Sequence, residues 1–120
     1  MDVGFVIALL VGPVVLAVIA LIAWAAGSGR IGRNHAVGLR LPSLLSSDAA
    51  WRRGHRAAVT PAVAAVVTLL ITSGAALLLR VGGVAEQPLT FAAIALMLVA
   101  VVLVTVIGAR AARTVGGAAP

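Results

Sequence analysis

The stretch FVIALLVGPVVLAVIALIAWAA, from Phe5 to Ala26, decides the fold of this chain. It contains no charged residue, and the nearest charges on either side are Asp2 and Arg30. Because a helix rises about 1.5 Å per residue, roughly 20 apolar residues cross the hydrocarbon of a bilayer. The alternative is a cleaved signal peptide, which would have a basic start and a shorter apolar core, whereas the start here is acidic. We therefore expect a membrane-spanning helix.

Two further uncharged stretches, residues 57–79 and 87–109, are also long enough to span a bilayer. Between them, Gly82, Gly83 and Pro88 end one helix and begin the next. So short a connection makes these two helices antiparallel neighbours, and the sequence predicts an all-α integral membrane three-helix bundle. The expected single domain covers residues 1–120, with helix 1 at about 5–26, helix 2 at about 57–80 and helix 3 at about 88–110.

The composition agrees with lipid as the solvent. The chain is 62% hydrophobic and 10% charged, an apolar excess that so small a globule could not bury. All nine basic residues are arginine and the formal net charge is +6, a balance that also occurs in nucleic-acid-binding proteins. The arginines flank the long apolar runs, however, which favours a role in membrane orientation and contact with anionic headgroups over nucleic acid.

The distribution of arginine predicts the orientation in the membrane, since cytoplasmic loops retain more basic residues than exported ones. Arg80 is the one basic residue between helices 2 and 3, and no basic residue precedes helix 1. We therefore place the amino end and the glycine-containing link outside, and the first loop and the carboxyl end in the cytoplasm. The other eight arginines lie on that cytoplasmic side: Arg30, Arg33, Arg40, Arg52, Arg53, Arg56, Arg110 and Arg113.

The cytoplasmic loop, residues 27–56, contains most of the recognisable motifs. Asn34 can bond its own backbone in a turn. Gly38 allows close backbone approach to a headgroup or helix end, while Arg40 supplies a planar fork for phosphate or carboxylate. We expect the loop to contact headgroups or a partner through Arg30, Asn34, Gly38, Arg40, Pro42, Asp48, Trp51 and Arg56.

A short interfacial helix is expected within this loop at about residues 47–57. Ser46 or Ser47 can cap it, and a carboxylate at Asp48 suits the first turn of a helix. The helix would place Trp51 at the inner membrane boundary as an aromatic anchor, because tryptophan prefers the interface between water and lipid. It would then continue or bend into helix 2.

Asp48 is the one carboxylate on the cytoplasmic side, so we expect it to pair with an arginine. Arg52 at i+4 and Arg40 across the loop are the two candidates. If the pair is solvated, it adds little stability. If it is partly desolvated, it would attach the loop to the helix ends.

Association of the three helices would rely on small residues and hydroxyl groups, since lipid tails are as apolar as leucine. Pro13 should kink helix 1 unless a neighbour satisfies the carbonyl that it leaves free. Ridges of small residues could form packing faces, although such spacings also arise by chance in an alanine-rich chain. These ridges are Gly4, Ala8 and Gly12 in helix 1 and Thr60, Ala64, Thr68, Thr72 and Ala76 in helix 2.

The residue pattern favours no catalytic site, metal or cofactor. His35 and His55 lack the further ligands of a zinc site, and interfacial packing or headgroup contact explains them better. A Ser-His-Asp arrangement fails as well, because no nucleophile elbow is present and the serines are explained as helix caps. No ionisable residue lies in the middle of a span, which argues against a proton relay or an ion-coupled transporter.

As an ordered set, the loop motifs resemble the signature of the SdpI family of bacterial membrane proteins. The shared elements are a Gly-Arg-x-x-x-Asn turn, a Gly-x-Arg-x-Pro element and a Ser-Asp-x-x-Trp-x-x-x-x-Arg helix. The matching residues are Gly29, Arg30, Asn34, Gly38, Arg40, Pro42, Ser47, Asp48, Trp51 and Arg56. The family is named after an immunity protein that protects a bacterium from its own secreted antimicrobial peptide, and this chain matches its three-helix portion.

The resemblance implies a non-enzymatic, multi-pass protein of the bacterial plasma membrane that confers immunity to a membrane-active peptide toxin or serves related signalling. Its expected partners are the bilayer, anionic headgroups of the inner leaflet, and a membrane protein or the peptide toxin, with no nucleic acid. The alternative is a small accessory subunit that stabilises a larger transporter or cell-envelope enzyme. The short length of the chain and its ridges of small residues favour this second hypothesis.

Overall fold

The computed structural model describes residues 1–116, and within that range the chain is helical with no strand. Three of its helices are long and apolar enough to cross a membrane, which confirms the predicted all-helical fold. The described part is elongated, with extents of 59 × 23 × 19 Å. The helices are α1 at Val3–Gly27, α2 at Pro42–Leu45, α3 at Asp48–Val81 and α4 at Glu86–Gly116.

The three long helices pack around a narrow core of small and branched side chains. α1 packs against both α3 and α4, which also pack along each other. Gly12 of α1 lies where a Cβ would be 3.4 Å from Leu69 of α3 and 3.5 Å from Met97 of α4, so all three helices meet at this position. The central buried residues are Leu16, Ala23, Ala58, Ala62, Leu69 and Val104.

The outer surface of the bundle is strongly apolar. Ile7, Leu10, Leu70 and Ile71 are among many large aliphatic side chains that remain exposed along the helices. Apolar surfaces of this extent are not left uncovered on soluble monomers. They are what a lipid-facing surface requires.

Pro13 lies inside α1, and the carbonyl that it leaves unbonded has a partner on another helix. Proline has no N–H, so the carbonyl of Leu9 four residues earlier loses its helical donor. The hydroxyl of Ser73 in α3 donates to that carbonyl at 2.8 Å. The sequence predicted a kink unless a neighbouring group bonded this carbonyl. α3 provides that group.

α3 joins the helices expected at about residues 47–57 and 57–80 into one, so that the short helix continues into the span, which is one of the two arrangements left open by the sequence. It runs from Asp48 to Val81 as one helix through Pro61. Ser47 is its N-cap, with the side-chain oxygen accepting from the backbone N–H of Ala50 at 3.0 Å. The first turns stay in line with the span because their buried side chains pack onto the rest of the protein instead of lying on a membrane surface.

The predicted ridges of small residues are only partly used in packing. Ala8 and Gly12 of α1 are buried, whereas Gly4 is exposed. In α3, Thr68 is exposed and its hydroxyl donates to Ala64 of its own helix at 2.9 Å. The first three residues of this ridge, Thr60, Ala64 and Thr68, are therefore exposed, and α1 and α4 pack mainly against other faces of α3.

At the other end of the bundle, Glu86 connects all three long helices. One of its carboxylate oxygens accepts from Nε of Arg80 at 2.7 Å, and the other accepts from the backbone N–H of Asp2 at 3.0 Å. Arg80 is in the last turn of α3, and Glu86 begins α4. The intervening turn places Gly83 at φ +100°, a left-handed conformation that suits glycine.

Candidate functional site

Trp51 and His55 form a buried aromatic pair at the arginine-rich end of the bundle. They lie one turn apart on α3, are 1% and 0% exposed, and have ring centroids 4.2 Å apart. Nε1 of Trp51 donates to the carbonyl of Ile31 at 3.0 Å. Nε2 of His55 lies 2.9 Å from the backbone nitrogen of Leu39. The pair thus holds the loop at two points eight residues apart.

The contacts of His55 define its tautomer. The backbone N–H of Leu39 can only donate, so Nε2 must accept, and the imidazole proton belongs on Nδ1. Nδ1 lies 2.8 Å from the carbonyl of Trp51, which accepts that proton in a hydrogen bond. Both ring nitrogens of the neutral imidazole are therefore satisfied by backbone groups.

Gly38 is required beside this pair for two independent reasons. Its φ is +105°, which residues with a Cβ rarely adopt. A Cβ there would also lie 2.8 Å from Nε2 of His55 and 2.8 Å from Cη2 of Trp51. The loop can lie flat on the two rings only because this position carries no side chain.

The loop on either side of Gly38 is organised by its own polar side chains. Asn34 accepts from the backbone N–H of Val37 at 2.7 Å and of Ala36 at 2.8 Å, in the turn that the sequence predicted. Nη1 of Arg40 donates to the carbonyl of His35 at 2.8 Å. Pro42, at the first position of the short helix α2, completes the turn toward the bundle.

α2 is attached to α3 and α4 by close packing at glycine. A Cβ on Gly54 would lie 2.6 Å from the side chain of Leu44 and 2.9 Å from the carbonyl of Gly108. Leu44 is fully buried there, in a cluster with Ala50 and Trp51. The expectation that Trp51 lies at the membrane boundary as an anchor is therefore corrected, because its ring is enclosed by protein.

Asp48 pairs with a residue that the sequence did not single out. Its carboxylate lies 3.4 Å from Nε of Arg33, instead of pairing with Arg52 or Arg40. Arg33 is directed there by the bond that its Nη1 donates to the carbonyl of Leu45 at 3.1 Å. The two side chains are 40% and 73% exposed, so the pair is solvated and of small energetic value.

Arg56 and Arg30 lie on another flank, where α1 ends. Nη2 of Arg56 donates to the carbonyl of Gly27 at 3.2 Å. The guanidinium of Arg30 stacks over the ring of Trp24, with its carbon 4.4 Å from the ring centroid. Of the eight residues expected to form the contact surface, the structure thus gathers Gly38 and Trp51 in the interior and Arg30 and Arg56 on an exposed flank.

Some residues of the site have roles that depend on the fold and were not predicted from the sequence. His55 follows Trp51 by four residues, so the helical period could have placed both on one face. Gly27 and Gly54 gave no such signal, because their importance lies in contacts with distant parts of the chain. Within residues 1–116, no group of three side chains has the composition to hold a metal ion.

A comparison with protein families gives one match. The model of a family described as the SdpI/YfhL protein family matches residues 30–109, which is two thirds of the chain. The matched segment contains most of the loop, all of α2 and α3, and most of α4. No curated protein and no solved structure matches the chain.

Proposed function

Because the chain belongs to the SdpI/YfhL protein family, we propose that it is a non-enzymatic membrane protein that protects its cell from a membrane-active peptide toxin or serves related signalling. The observation that carries the proposal is the rigid seating of the loop on the Trp51–His55 pair. A loop fixed at two points by buried side chains presents its exposed residues in one arrangement, as recognition of a partner requires.

The side chains of Ser46, Ser47 and His55, which could be considered for catalysis, are engaged in structural bonds, and this supports a non-enzymatic function. Both nitrogens of His55 bond backbone groups, so it is not free to act as a base. Ser47 caps α3, and the hydroxyl of Ser46 donates to the carbonyl of Ser43 at 2.8 Å. The family is not a known enzyme family.

The proposed location is the bacterial plasma membrane, with the amino end outside and the loop and carboxyl end in the cytoplasm. The excess of arginine at the loop end supports this orientation. In it, exposed side chains such as Arg40 face anionic headgroups of the inner leaflet, a membrane protein partner or the toxin itself.

The loop's role in protection is tested by comparing two glycine substitutions in one segment. Gly38→Ala places a methyl group against both aromatic rings, whereas a Cβ at Gly32 meets nothing within 4 Å. A bacterial strain lacking the protein is complemented with each tagged variant, matched for membrane abundance, and challenged with a pore-forming peptide. Wild type and Gly32→Ala should protect, and Gly38→Ala should not. Equal survival of all three strains, or no protection by wild type, would contradict the proposal.

A second function, as an accessory subunit of a larger membrane complex, is favoured by the groove between α3 and α4. It has a volume of about 320 Å³, and its lining includes the small residues Ala64 and Thr68, which are exposed, and Ala100, which is partly buried. Helices associate in lipid through such small residues. Mass spectrometry after extraction in a mild detergent tests this function, since a partner subunit should be retained at fixed stoichiometry. A lone chain would argue against it.

A further inference from the structure

The end of α1 and the adjacent face of α3 form a cleft beside the close contact of the two helices at Gly27. At Gly27 the two helices approach so closely that a Cβ would lie 2.8 Å from the backbone nitrogen of Arg56. Beside this contact the surface opens into a cavity of about 340 Å³. We call it the Trp24–Arg56 cleft, and its lining consists of Trp24, Gly27, Ser28, Arg56, Val59 and Thr60.

Two guanidinium groups make the cleft cationic. Arg56 lines it and uses one N–H for the carbonyl of Gly27, and a guanidinium has five N–H donors in all. Arg30 is held at its rim by stacking on Trp24 and by the bond that its Nη1 donates to the hydroxyl of Ser28 at 3.1 Å. The cation and the aromatic ring hold each other in place in this geometry.

The described part of the chain supplies no carboxylate to balance these charges. Asp48 is paired with Arg33, whereas Asp2 and Glu86 lie at the opposite end of the bundle, where Glu86 is paired with Arg80. Neither Arg30 nor Arg56 forms an ion pair within residues 1–116. A preformed cationic site of this kind is complementary to an anion with several oxygen acceptors, such as a phosphate group.

The surroundings of the cleft point to a lipid as the source of that phosphate. Trp24 is 48% exposed, as expected for tryptophan at the interface between water and lipid. One helical turn deeper, Leu21 of α1 and Val63 of α3 are exposed on the faces that bear Trp24 and Val59. A bound phosphate would therefore lie directly above an apolar surface along which acyl chains can extend.

We propose that the Trp24–Arg56 cleft binds the phosphate of one anionic phospholipid, with Arg56 and Arg30 as its ligands and the hydroxyl of Thr60 within the same cavity. The aliphatic residues below the cleft contact the acyl chains of that lipid. The site does not depend on toxin protection, because its ligand is a component of the bilayer. A failure of the challenge experiment would therefore leave this proposal unaffected.

The test measures binding of individual lipids to the full chain in a neutral detergent by native mass spectrometry, with phosphatidylglycerol as the probe. Arg56→Gln should weaken the first binding step at least about tenfold, the effect of losing a charge-assisted hydrogen bond. Arg30→Gln should weaken it about fivefold, as for one arginine near an anionic surface. Arg113→Gln is the matched control, because it removes the same charge from α4, which contributes nothing to the cleft, and should change binding less than about twofold.

Three results would overturn the proposal. Equal weakening by all three substitutions would mean that binding follows overall charge. Unchanged binding in Arg56→Gln and Arg30→Gln would remove the cleft as the site. Displacement of the lipid by inorganic phosphate at the same concentration would assign the cleft to a soluble anion. Helix content measured by circular dichroism guards against misfolding. Arg30→Gln is the safer variant because the Arg30 side chain contacts Ser28 and Trp24 at the end of α1, whereas Arg56 bonds across two helices.

Discussion

The backbone N–H of Leu39 donates to Nε2 of His55 at 2.9 Å, so a buried imidazole on α3 completes the hydrogen bonding of the loop. Replacing His55 by phenylalanine keeps a ring but leaves the N–H of Leu39 without an acceptor. We expect His55→Phe to lower the free energy of unfolding by about 1–3 kcal/mol, the cost of an unsatisfied buried polar group. Thermal unfolding in detergent, followed by circular dichroism, measures this. His35→Phe is the control, because His35 is exposed, and equal losses in both variants would contradict the role of the bond.

Two glycines of α3 should respond to alanine with opposite signs. Gly54→Ala introduces a methyl group 2.6 Å from Leu44, and such overpacking should destabilise the protein by about 1–3 kcal/mol. Gly74 has nothing within 4 Å of a Cβ, so Gly74→Ala should stabilise the helix by about 0.5–1 kcal/mol. Unfolding midpoints of both variants under the same conditions test the prediction. A stabilising Gly54→Ala would mean that α2 and α4 can move away from this position without loss.

Removing the hydroxyl of Ser73 should weaken the contact between α1 and α3. Ser73→Ala leaves the carbonyl of Leu9 without a donor, and interhelical hydrogen bonds in membranes contribute about 0.6 kcal/mol on average. Thr68→Val serves as the control, since the hydroxyl of Thr68 bonds its own helix. The measurement is the fraction unfolded during titration with a denaturing detergent. A larger loss in Thr68→Val than in Ser73→Ala would be incompatible with the assigned bond.

The absence of cysteine makes the proposed orientation directly testable. A single cysteine at Ala36, in the exposed part of the loop, should resist an impermeant maleimide in whole cells and react after lysis. A cysteine at Val84, exposed in the link between α3 and α4, should react in whole cells. The reverse pattern would place the arginine-rich loop outside. It would also move the lipid cleft to the outer leaflet.

The spans could be predicted because their information is local. Length and the absence of charge identify a membrane-crossing helix without knowledge of its neighbours, and the cap at Ser47 is likewise encoded within one turn. The contacts of the loop were harder to predict. Trp51 suits an interface on general grounds, yet its partner is the carbonyl of Ile31, twenty residues away in sequence.

The partner of Asp48 could not be derived for a similar reason. The helical spacing to Arg52 is visible in the sequence, whereas the approach of Arg33 depends on how the whole loop folds back. In the folded loop, Nη1 of Arg33 donates to the carbonyl of Leu45, twelve residues away in sequence, and this contact places Arg33 beside Asp48. The sequence left open whether the short helix before Pro61 would continue into helix 2 or bend there. The buried turns before Pro61 hold one continuous helix.

The bond between Ser73 and Leu9 joins residues 64 positions apart, so the first helix depends on a segment that is synthesised much later. Before α3 has been synthesised, the carbonyl of Leu9 has no hydrogen-bond donor within its own helix, because Pro13 has no N–H. We therefore expect this carbonyl to gain its hydrogen bond only when α3 packs beside α1. Because the hydroxyl of Ser73 has to lie next to that carbonyl, the bond also favours one register between the two helices.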